Sequence, residues 1–279
     1  SATSDIGTGT YTIMTQVAAE SLGVPLEDIT FKLGDTTLPQ APFEGGSTTA
    51  SSVGSAVKEV CDTIAKKVFK FAQKLDNSPL KGADLEDVEF VEGYIRLRQD
   101  TSKRVSLREA MRHGGVAVLE EEASAIPNVA KQGFYARNTH SAVFVEVEVD
   151  EDFGTIKVTR VVSAIAGGRV INPKTARSQI LGSVVWGISM ALEEESVLDN
   201  QFGRFMNHNL AEYHVPVSAD IHDIDVIFVH EEDSVVNKLG VKGMGEIGLV
   251  GVAGAIANAV FHATGKRVRE LPITLDKLL

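Results

Sequence analysis

The sequence is poor in cysteine and in positive charge. Its 279 residues include one cysteine, which excludes an intrachain disulfide, a cysteine-ligated iron–sulfur cluster and a cysteine zinc site. That residue, Cys61, falls in a helical pattern and is predicted to be a small core residue. The 27 basic residues are outnumbered by 38 acidic ones, which gives a net charge of −11. An acidic chain without a basic stripe is not expected to bind nucleic acid or an anionic membrane surface.

Long apolar runs are scarce as well. We expect no membrane span, because no uninterrupted run reaches the necessary length. The first residues are small and polar and show no signal peptide. A signal on another subunit would leave the compartment open between cytoplasm and periplasm. With 43% hydrophobic residues, the chain has enough apolar material for one large domain or two modest ones.

The motifs of several enzyme classes are missing. The sequence has no Walker A loop, no G-x-S-x-G elbow and no H-E-x-x-H pair. The stretch 243–248 formally matches G-x-G-x-x-G, the dinucleotide fingerprint, with Glu270 at a plausible distance beyond it. We reject this interpretation because the preceding strand is predicted to end near Val229. The charge of Glu246 would also face the position that a pyrophosphate needs.

Glycine, serine and threonine are concentrated in four loops, and each loop precedes a predicted helix. The loops lie at 6–10, 45–52, 166–173 and 241–248. Such composition is explained either by four independent helix caps or by loops that converge on one polyanionic ligand. The loop at 45–52 has more hydroxyl and glycine positions than a cap needs, which favours oxyanion binding there.

The last loop contains the residue most suited to chemistry. Glu246 stands among glycines ahead of a predicted apolar helix from Leu249 to Ala263. Glycine allows positive φ angles and close approach of a ligand to the main chain. A glutamate in this position is either a charge that stabilises the start of a helix or a working acid or base.

The periodicity predicts an α+β fold with two lobes, at 1–130 and 131–279, each a mixed or antiparallel sheet backed by helices. Apolar residues recur at helical or alternating spacing in six main segments. The predicted helices are 11–22 with Thr10 as its N-cap, 54–75, and a long one from Pro173 to Leu192; the predicted strands are 29–33, a hairpin of 142–149 with 156–162, and 267–271.

Three stretches together resemble the C-terminal half of the molybdenum hydroxylase large subunit, the xanthine dehydrogenase/aldehyde oxidase family. They are Asp5–Thr12, Gly168–Pro173 with Gln179–Gly182, and Lys242–Glu246. The resemblance covers nearly the whole chain and includes the ending 263–279. The opening stretch and the final four residues are most similar to bacterial periplasmic aldehyde oxidoreductase subunits.

This resemblance implies a molybdopterin-dependent hydroxylase acting on an aldehyde or an N-heterocycle. Molybdenum would be held by the pterin and by no protein side chain, and the resemblance allows the pterin with or without a cytosine nucleotide. Glu246 matches the catalytic general base of the family. The implied cofactor contacts are Ile6, Gly7, Thr8, Gly46, Ser47, Thr49, Gln179, Lys242 and Gly245.

The resemblance also implies partners. The N-terminal half of the large subunit would supply further cofactor contacts, and iron–sulfur and FAD groups would lie on other domains or subunits. Two positions depart from the family, with Thr8 where many relatives have Gln and Ala166 where they commonly have Asp. The alternative is a non-catalytic, partner-binding or cofactor-free fragment in which the four loops act only as caps.

Overall fold

The computed structural model describes residues 1–278, which form two compact units. Unit 1 comprises Ser1–Arg137 and Glu232–Lys242; unit 2 comprises Asn138–Glu231 and the residues from Gly243 onward. Leu279, the last residue of the family-like ending, lies outside the described residues. The division into domains at about residue 130 stays a prediction.

Unit 1 combines helices with a small antiparallel sheet. Its helices are α1 (Thr10–Leu22), α2 (Thr49–Gln73), α3 (Leu107–His113) and α4 (Val129–Gln132), and its strands are β1 (Val88–Val91), β2 (Tyr94–Leu97) and β3 (Arg104–Ser106). The strands pair in the order β1-β2-β3. Val68 and Ala72 of α2 pack in one core with Val88 and Ile95 of the sheet, which buries the apolar face of the helix.

Local signals fix two helix ends of unit 1. Ser106 caps α3 by accepting a hydrogen bond from the Glu109 amide at 3.1 Å, as its position predicts. Gly23 ends α1 with a φ of +62°, and an added Cβ there would lie 2.1 Å from the Phe90 carbonyl carbon. Only glycine fits both requirements. Two predictions were wrong: Thr10 is the first residue of α1 rather than its cap, and 29–33 forms no strand.

Unit 2 is built on a mixed three-stranded sheet. Its strands are β4 (His140–Asp150), β5 (Thr155–Ala166), β6 (Leu198–Asp199), β7 (Arg204–Phe205) and β8 (Asp223–Phe228), and its helices are α5 (Pro173–Leu192), α6 (Ile247–Val250) and α7 (Val252–Thr264). β5 pairs antiparallel with β4 and parallel with β8. β6 and β7 form a separate short ribbon. Helices α5 and α7 pack on the sheet around one apolar core.

The signals in the sequence located the hairpin and α5 well. Asn172 caps α5 by accepting from the Lys174 and Thr175 amides, and Pro173 occupies the first helical position. The predicted strand at 267–271 was wrong, since no strand forms there. The mixture of helices with two antiparallel sheets and one mixed sheet confirms the predicted α+β class.

The segment Ile247–Thr264 corrects one expectation. It is long and apolar enough to cross a membrane by length and composition alone, although core helices pass the same test. In the structure Gly251 separates this segment into α6 and α7. Val252, Ile256 and Val260 are fully buried in the core of unit 2. Packing within the unit therefore accounts for these three residues, although only 22% of the segment is buried.

Candidate functional site

The first glycine loop of unit 1 is organised by an internal carboxylate. Asp5 accepts hydrogen bonds from the backbone amides of Gly7 at 2.9 Å, Gly9 at 3.2 Å and Tyr11 at 3.3 Å. Burial raises the pKa of Asp5, but these N–H groups outweigh it and hold the pKa below its ordinary value. Three of the amides that an outside anion could use are therefore turned toward Asp5.

The three predicted cofactor contacts in this loop have different surroundings. Ile6 is 76% exposed, an unusual position for a large apolar side chain. Gly7 has a φ of +99°, with open space where a side chain would be. Thr8 is half-buried and its hydroxyl lies 3.1 Å from the buried Thr10 hydroxyl. The loop thus presents an apolar side chain and a bare backbone surface to its surroundings.

The second loop is shorter than predicted, because helix α2 begins at Thr49. Gly46 and Ser47 precede it with left-handed φ angles of +61° and +56°. The hydroxyls of Ser51 and Ser52 donate back to the Thr48 carbonyl at 2.8 and 2.9 Å. The Ser/Thr run therefore belongs mainly to the helix.

The start of α2 retains one property expected of an anion site. The side chain of its N-cap residue, Thr48, makes no capping hydrogen bond, and the backbone N–H groups and helix dipole of the first turn favour negative charge. Gly46, Ser47 and Thr49, the predicted contacts, all lie at this helix start. An outside acceptor would find backbone donors there.

Lys242 is the last residue of unit 1, and its ammonium group is already paired. Its Nζ atom lies 3.0 Å from Oδ2 of Asp233, and the lysine side chain is only 5% exposed. The other oxygen of Asp233 accepts from the Val235 and Val236 amides, each at 3.0 Å. A cofactor contact from Lys242 would have to come from its backbone or compete with Asp233.

Glu246 is exposed and lies at the start of α6 in unit 2. The loop before it is anchored to its own unit at several points. Thr139 Oγ1 donates to the Gly243 carbonyl at 3.1 Å. Met244 packs so closely on Gly167 that a Cβ there would lie 2.6 Å from its Cγ atom. The carboxylate is therefore presented on a loop that is anchored at Gly243 and at Met244.

Helix α5 contacts this loop through the turn that follows Gln179. Ser183 Oγ lies 2.9 Å from the Gln179 carbonyl and also within hydrogen-bonding distance of the Gly245 carbonyl. Three predicted residues, Gln179, Gly245 and Glu246, are therefore brought into one region of unit 2. The side-chain amide of Gln179 makes no hydrogen bond with residues 1–278.

Each unit thus contains its own subset of the predicted site. Ile6, Gly7, Thr8, Gly46, Ser47, Thr49 and Lys242 lie in unit 1, and Gln179, Gly245 and Glu246 in unit 2. Sequence reasoning missed the organising role of Asp5, the partner Asp233, and the hydroxyls of Thr139 and Ser183. The four-residue spacing from Gln179 to Ser183 could have pointed to the last of these, since it places both on one helix face. Across the part of the chain described, no three His, Cys, Asp or Glu side chains form a group able to hold a metal ion.

Residues 1–222 match the family model of the molybdopterin cofactor-binding domain. The chain belongs to this family. This chain is 41% identical over 275 residues to the aldehyde oxidoreductase molybdenum-binding subunit PaoC of Escherichia coli (strain K12), covering 99% of the chain and 35% of that protein. It is 32% identical to a probable xanthine dehydrogenase subunit of Bacillus subtilis (strain 168), over 99% of the chain and 36% of the relative.

The fold of the chain is also that of part of a solved enzyme. Quinoline 2-oxidoreductase from Pseudomonas putida 86 superposes with a TM-score of 0.83 at 24% identity, covering 99% of this chain and 35% of that one. These comparisons confirm the predicted resemblance to molybdenum hydroxylases. The chain spans about a third of the length of the curated relatives it matches.

Proposed function

We propose that this chain supplies the general base of a molybdopterin-dependent oxidoreductase that hydroxylates an aldehyde or an electron-poor N-heterocycle. The observation that carries the proposal is the placement of Glu246, an exposed carboxylate on a loop anchored by Thr139, Gly167 and Ser183. The membership of the chain in the molybdopterin cofactor-binding family supports the choice of cofactor.

Each unit, taken by itself, has features that suit an anionic cofactor. In unit 1, Gly7 leaves open space over its backbone, and the N-cap residue of α2, Thr48, makes no capping hydrogen bond with its side chain. In unit 2, the Gln179 side chain has unused donors and an unused acceptor among the described residues. When bound, the molybdenum cofactor would supply the redox centre that accepts two electrons from the substrate.

Glu246 would move the proton of this reaction. A carboxylate accepts a proton from an attacking oxygen when the two lie within one hydrogen bond, about 2.6–3.2 Å. The exposure of Glu246 leaves its Oε atoms accessible to such a group. Gly245 lacks a side chain that could obstruct the approach on one side. The flanking tethers reduce the conformational freedom that would otherwise be lost in the transition state.

The relatives and one residue of this chain support the proposed substrate classes and partners. The E. coli relative is named for aldehydes and the Pseudomonas structure for quinoline, an N-heterocycle, so we propose both classes. Burial raises the pKa of Cys61 to about 11, and it is the single cysteine. The chain cannot ligate a cysteine-bound cluster by itself, and we propose that iron–sulfur and FAD groups reside on partner polypeptides.

Substitution of the carboxylate tests the proposal. In the assembled enzyme, Glu246→Gln should keep the molybdenum content and lower aldehyde or heterocycle turnover by at least about 100-fold, because it removes the general base. Glu270→Gln is the matched control, since Glu270 is another exposed glutamate of unit 2 and the acidic partner of the rejected dinucleotide motif. Full turnover by Glu246→Gln would refute the assigned role.

A non-catalytic fragment is the second candidate, and two contacts favour it. Asp5 already uses three amides of the first loop, and Asp233 already pairs with Lys242. In that case the loops would be self-contained caps. A well-folded assembly that lacks molybdenum, made in a host that supplies the cofactor, would support this candidate over the first.

A further inference from the structure

The peptide group that precedes Glu246 is held by a hydroxyl from helix α5. Ser183 Oγ lies within hydrogen-bonding distance of the Gly245 carbonyl. That carbonyl belongs to the planar peptide unit joining Gly245 to Glu246, so its direction determines where the Glu246 Cα atom lies. Ser183 is 5% exposed, and its hydroxyl is thus shielded from competing water.

Ser183 also supports the chain on the other side of Glu246. A Cβ added to Gly248 would lie 2.8 Å from the Ser183 Cβ and 3.3 Å from the Ile180 Cδ1. The backbone after Glu246 therefore rests directly on α5, and only glycine permits this approach. Ser183 contacts the loop at Gly245 and at Gly248, and the catalytic candidate lies between these two contacts.

A second hydroxyl acts two residues earlier. Thr139 Oγ1 donates to the Gly243 carbonyl at 3.1 Å, from the residue that precedes β4. The loop is therefore bonded to the middle of α5 and to the residue just before the first strand of the sheet. The side chain of Glu246 itself does not cap α6, so capping of that helix is not what positions it.

We propose that Ser183 is a positioning residue for Glu246, with Thr139 as its support. The inference rests on the proposed function of Glu246 as a base. A displacement of about 1 Å in a reacting group can lower a rate by about 100-fold, so fixing one peptide plane has a measurable effect on turnover. Ser183 does not touch the substrate, and its influence passes through the Gly245–Glu246 peptide.

The first experiment compares two serines of α5 in the assembled enzyme. Ser183→Ala removes the bond to the Gly245 carbonyl together with an intrahelical bond to the Gln179 carbonyl, whereas Ser178→Ala removes only the equivalent intrahelical bond, to the Lys174 carbonyl. We expect Ser183→Ala to lower kcat by about tenfold, with KM and molybdenum content unchanged, because only the base is displaced. Hydrogen–deuterium exchange of the peptide spanning 243–250 should accelerate. Ser178→Ala should behave as wild type in every respect.

A double-mutant cycle separates positioning from a general structural role. Glu246→Asp shortens the side chain, so the carboxylate is already displaced while some turnover remains. If Ser183 acts through Glu246, Ser183→Ala should lower kcat by less than about twofold in the Glu246→Asp background, since coupled residues are not additive. In parallel, Thr139→Val should lower kcat and Thr139→Ser should restore it, because serine keeps the hydroxyl.

Two results would overturn the inference. One is an unchanged kcat and unchanged exchange in Ser183→Ala; the other is an equal fall in kcat in the wild-type and Glu246→Asp backgrounds. Failure of the proposed function has a different signature, since Glu246→Asp and Glu246→Gln would then both retain full turnover. If Ser183→Ala still accelerated exchange at 243–250 in that case, Ser183 would stabilise the loop without affecting catalysis.

Discussion

At the scale of single residues, two carboxylates of unit 1 change how its loops are understood. A glycine-rich loop suggests an anion site, yet Asp5 satisfies the amides of Gly7, Gly9 and Tyr11 from within the chain. Lys242 suggests a cation for a phosphate, yet Asp233 neutralises it. In each case the internal carboxylate shapes the segment. Any cofactor would meet a preformed backbone surface rather than a free charge.

Asp5 gives the first loop a dependence on pH. Its pKa in the folded chain is below the ordinary value, so its stabilising effect is complete above the unfolded pKa of about 3.9 and is lost as the pH falls through the folded value. We expect the exchange protection of the Gly7 and Gly9 amides to be constant near neutral pH and to fall below about pH 4. Protection factors from NMR would measure this.

The matched variants for this loop are two aspartates that each bind local backbone. Asp5→Ala should abolish the protection at every pH. Asp35→Ala should leave it unchanged, because Asp35 accepts instead from the Thr37 amide at 2.8 Å in a separate turn. Protection of Gly7 that survives in Asp5→Ala would show that the carboxylate does not organise the loop.

At the scale of the elements, sequence signals succeeded where the cause is local. Asn172 and Pro173 located the start of α5, because a cap and a fixed φ act within a few residues. The alternation in 142–149 predicted its strand correctly, because the pattern extends over a whole hairpin. The same alternation at 29–33 predicted a strand that does not form. A strand needs a partner strand, and the sequence does not show whether one is available. The start of α2 was predicted too late, at residue 54, because serine hydroxyls that donate back to helix carbonyls are compatible with a helix.

The helical segment Ile247–Thr264 provides a prediction at this scale. If its hydrophobicity serves the core of unit 2, then Ile256→Asp should prevent stable folding, because an unpaired buried charge costs several kcal/mol. Val250→Asp should be tolerated, since Val250 is 74% exposed. Thermal unfolding followed by circular dichroism would measure both. A membrane-embedded helix would instead be disturbed by both substitutions, and equal damage would contradict the packing seen here.

At the scale of the whole molecule, sequence reasoning could not predict contacts between residues that are far apart in the chain. The parallel pairing of β5 with β8 joins strands separated by the whole of α5, and Glu232–Lys242 clusters with residues far earlier in the chain. Neither of these two contacts produces a periodic pattern in the sequence. The tether from Ser183 to Gly245 has the same character, since its two ends are 62 residues apart in the sequence. The family resemblance proposes Glu246 as the base, and the contacts of the loop around it are visible only in the structure.

The share of the relatives that the chain covers leads to a prediction about cofactor retention. The chain corresponds to 35% of the E. coli relative, and the family resemblance places further cofactor contacts outside the matched region. Because Lys242 is paired with Asp233, the candidate hydrogen-bond donors of the chain are mainly backbone groups. The net charge of −11 also repels an anionic cofactor. We therefore expect the 279-residue chain, expressed alone, to retain no pterin.

Pterin and molybdenum content measure this directly, for the chain alone and for the chain co-expressed with the N-terminal region of a close relative. Retention only in the co-expressed complex would show that the loops of this chain act together with residues from elsewhere. Tight binding by the chain alone would show instead that open backbone at Gly7 and at the start of α2 is sufficient. In that case the net negative charge would be outweighed by helix-dipole and amide donors, which act at short range where the overall charge is screened by salt.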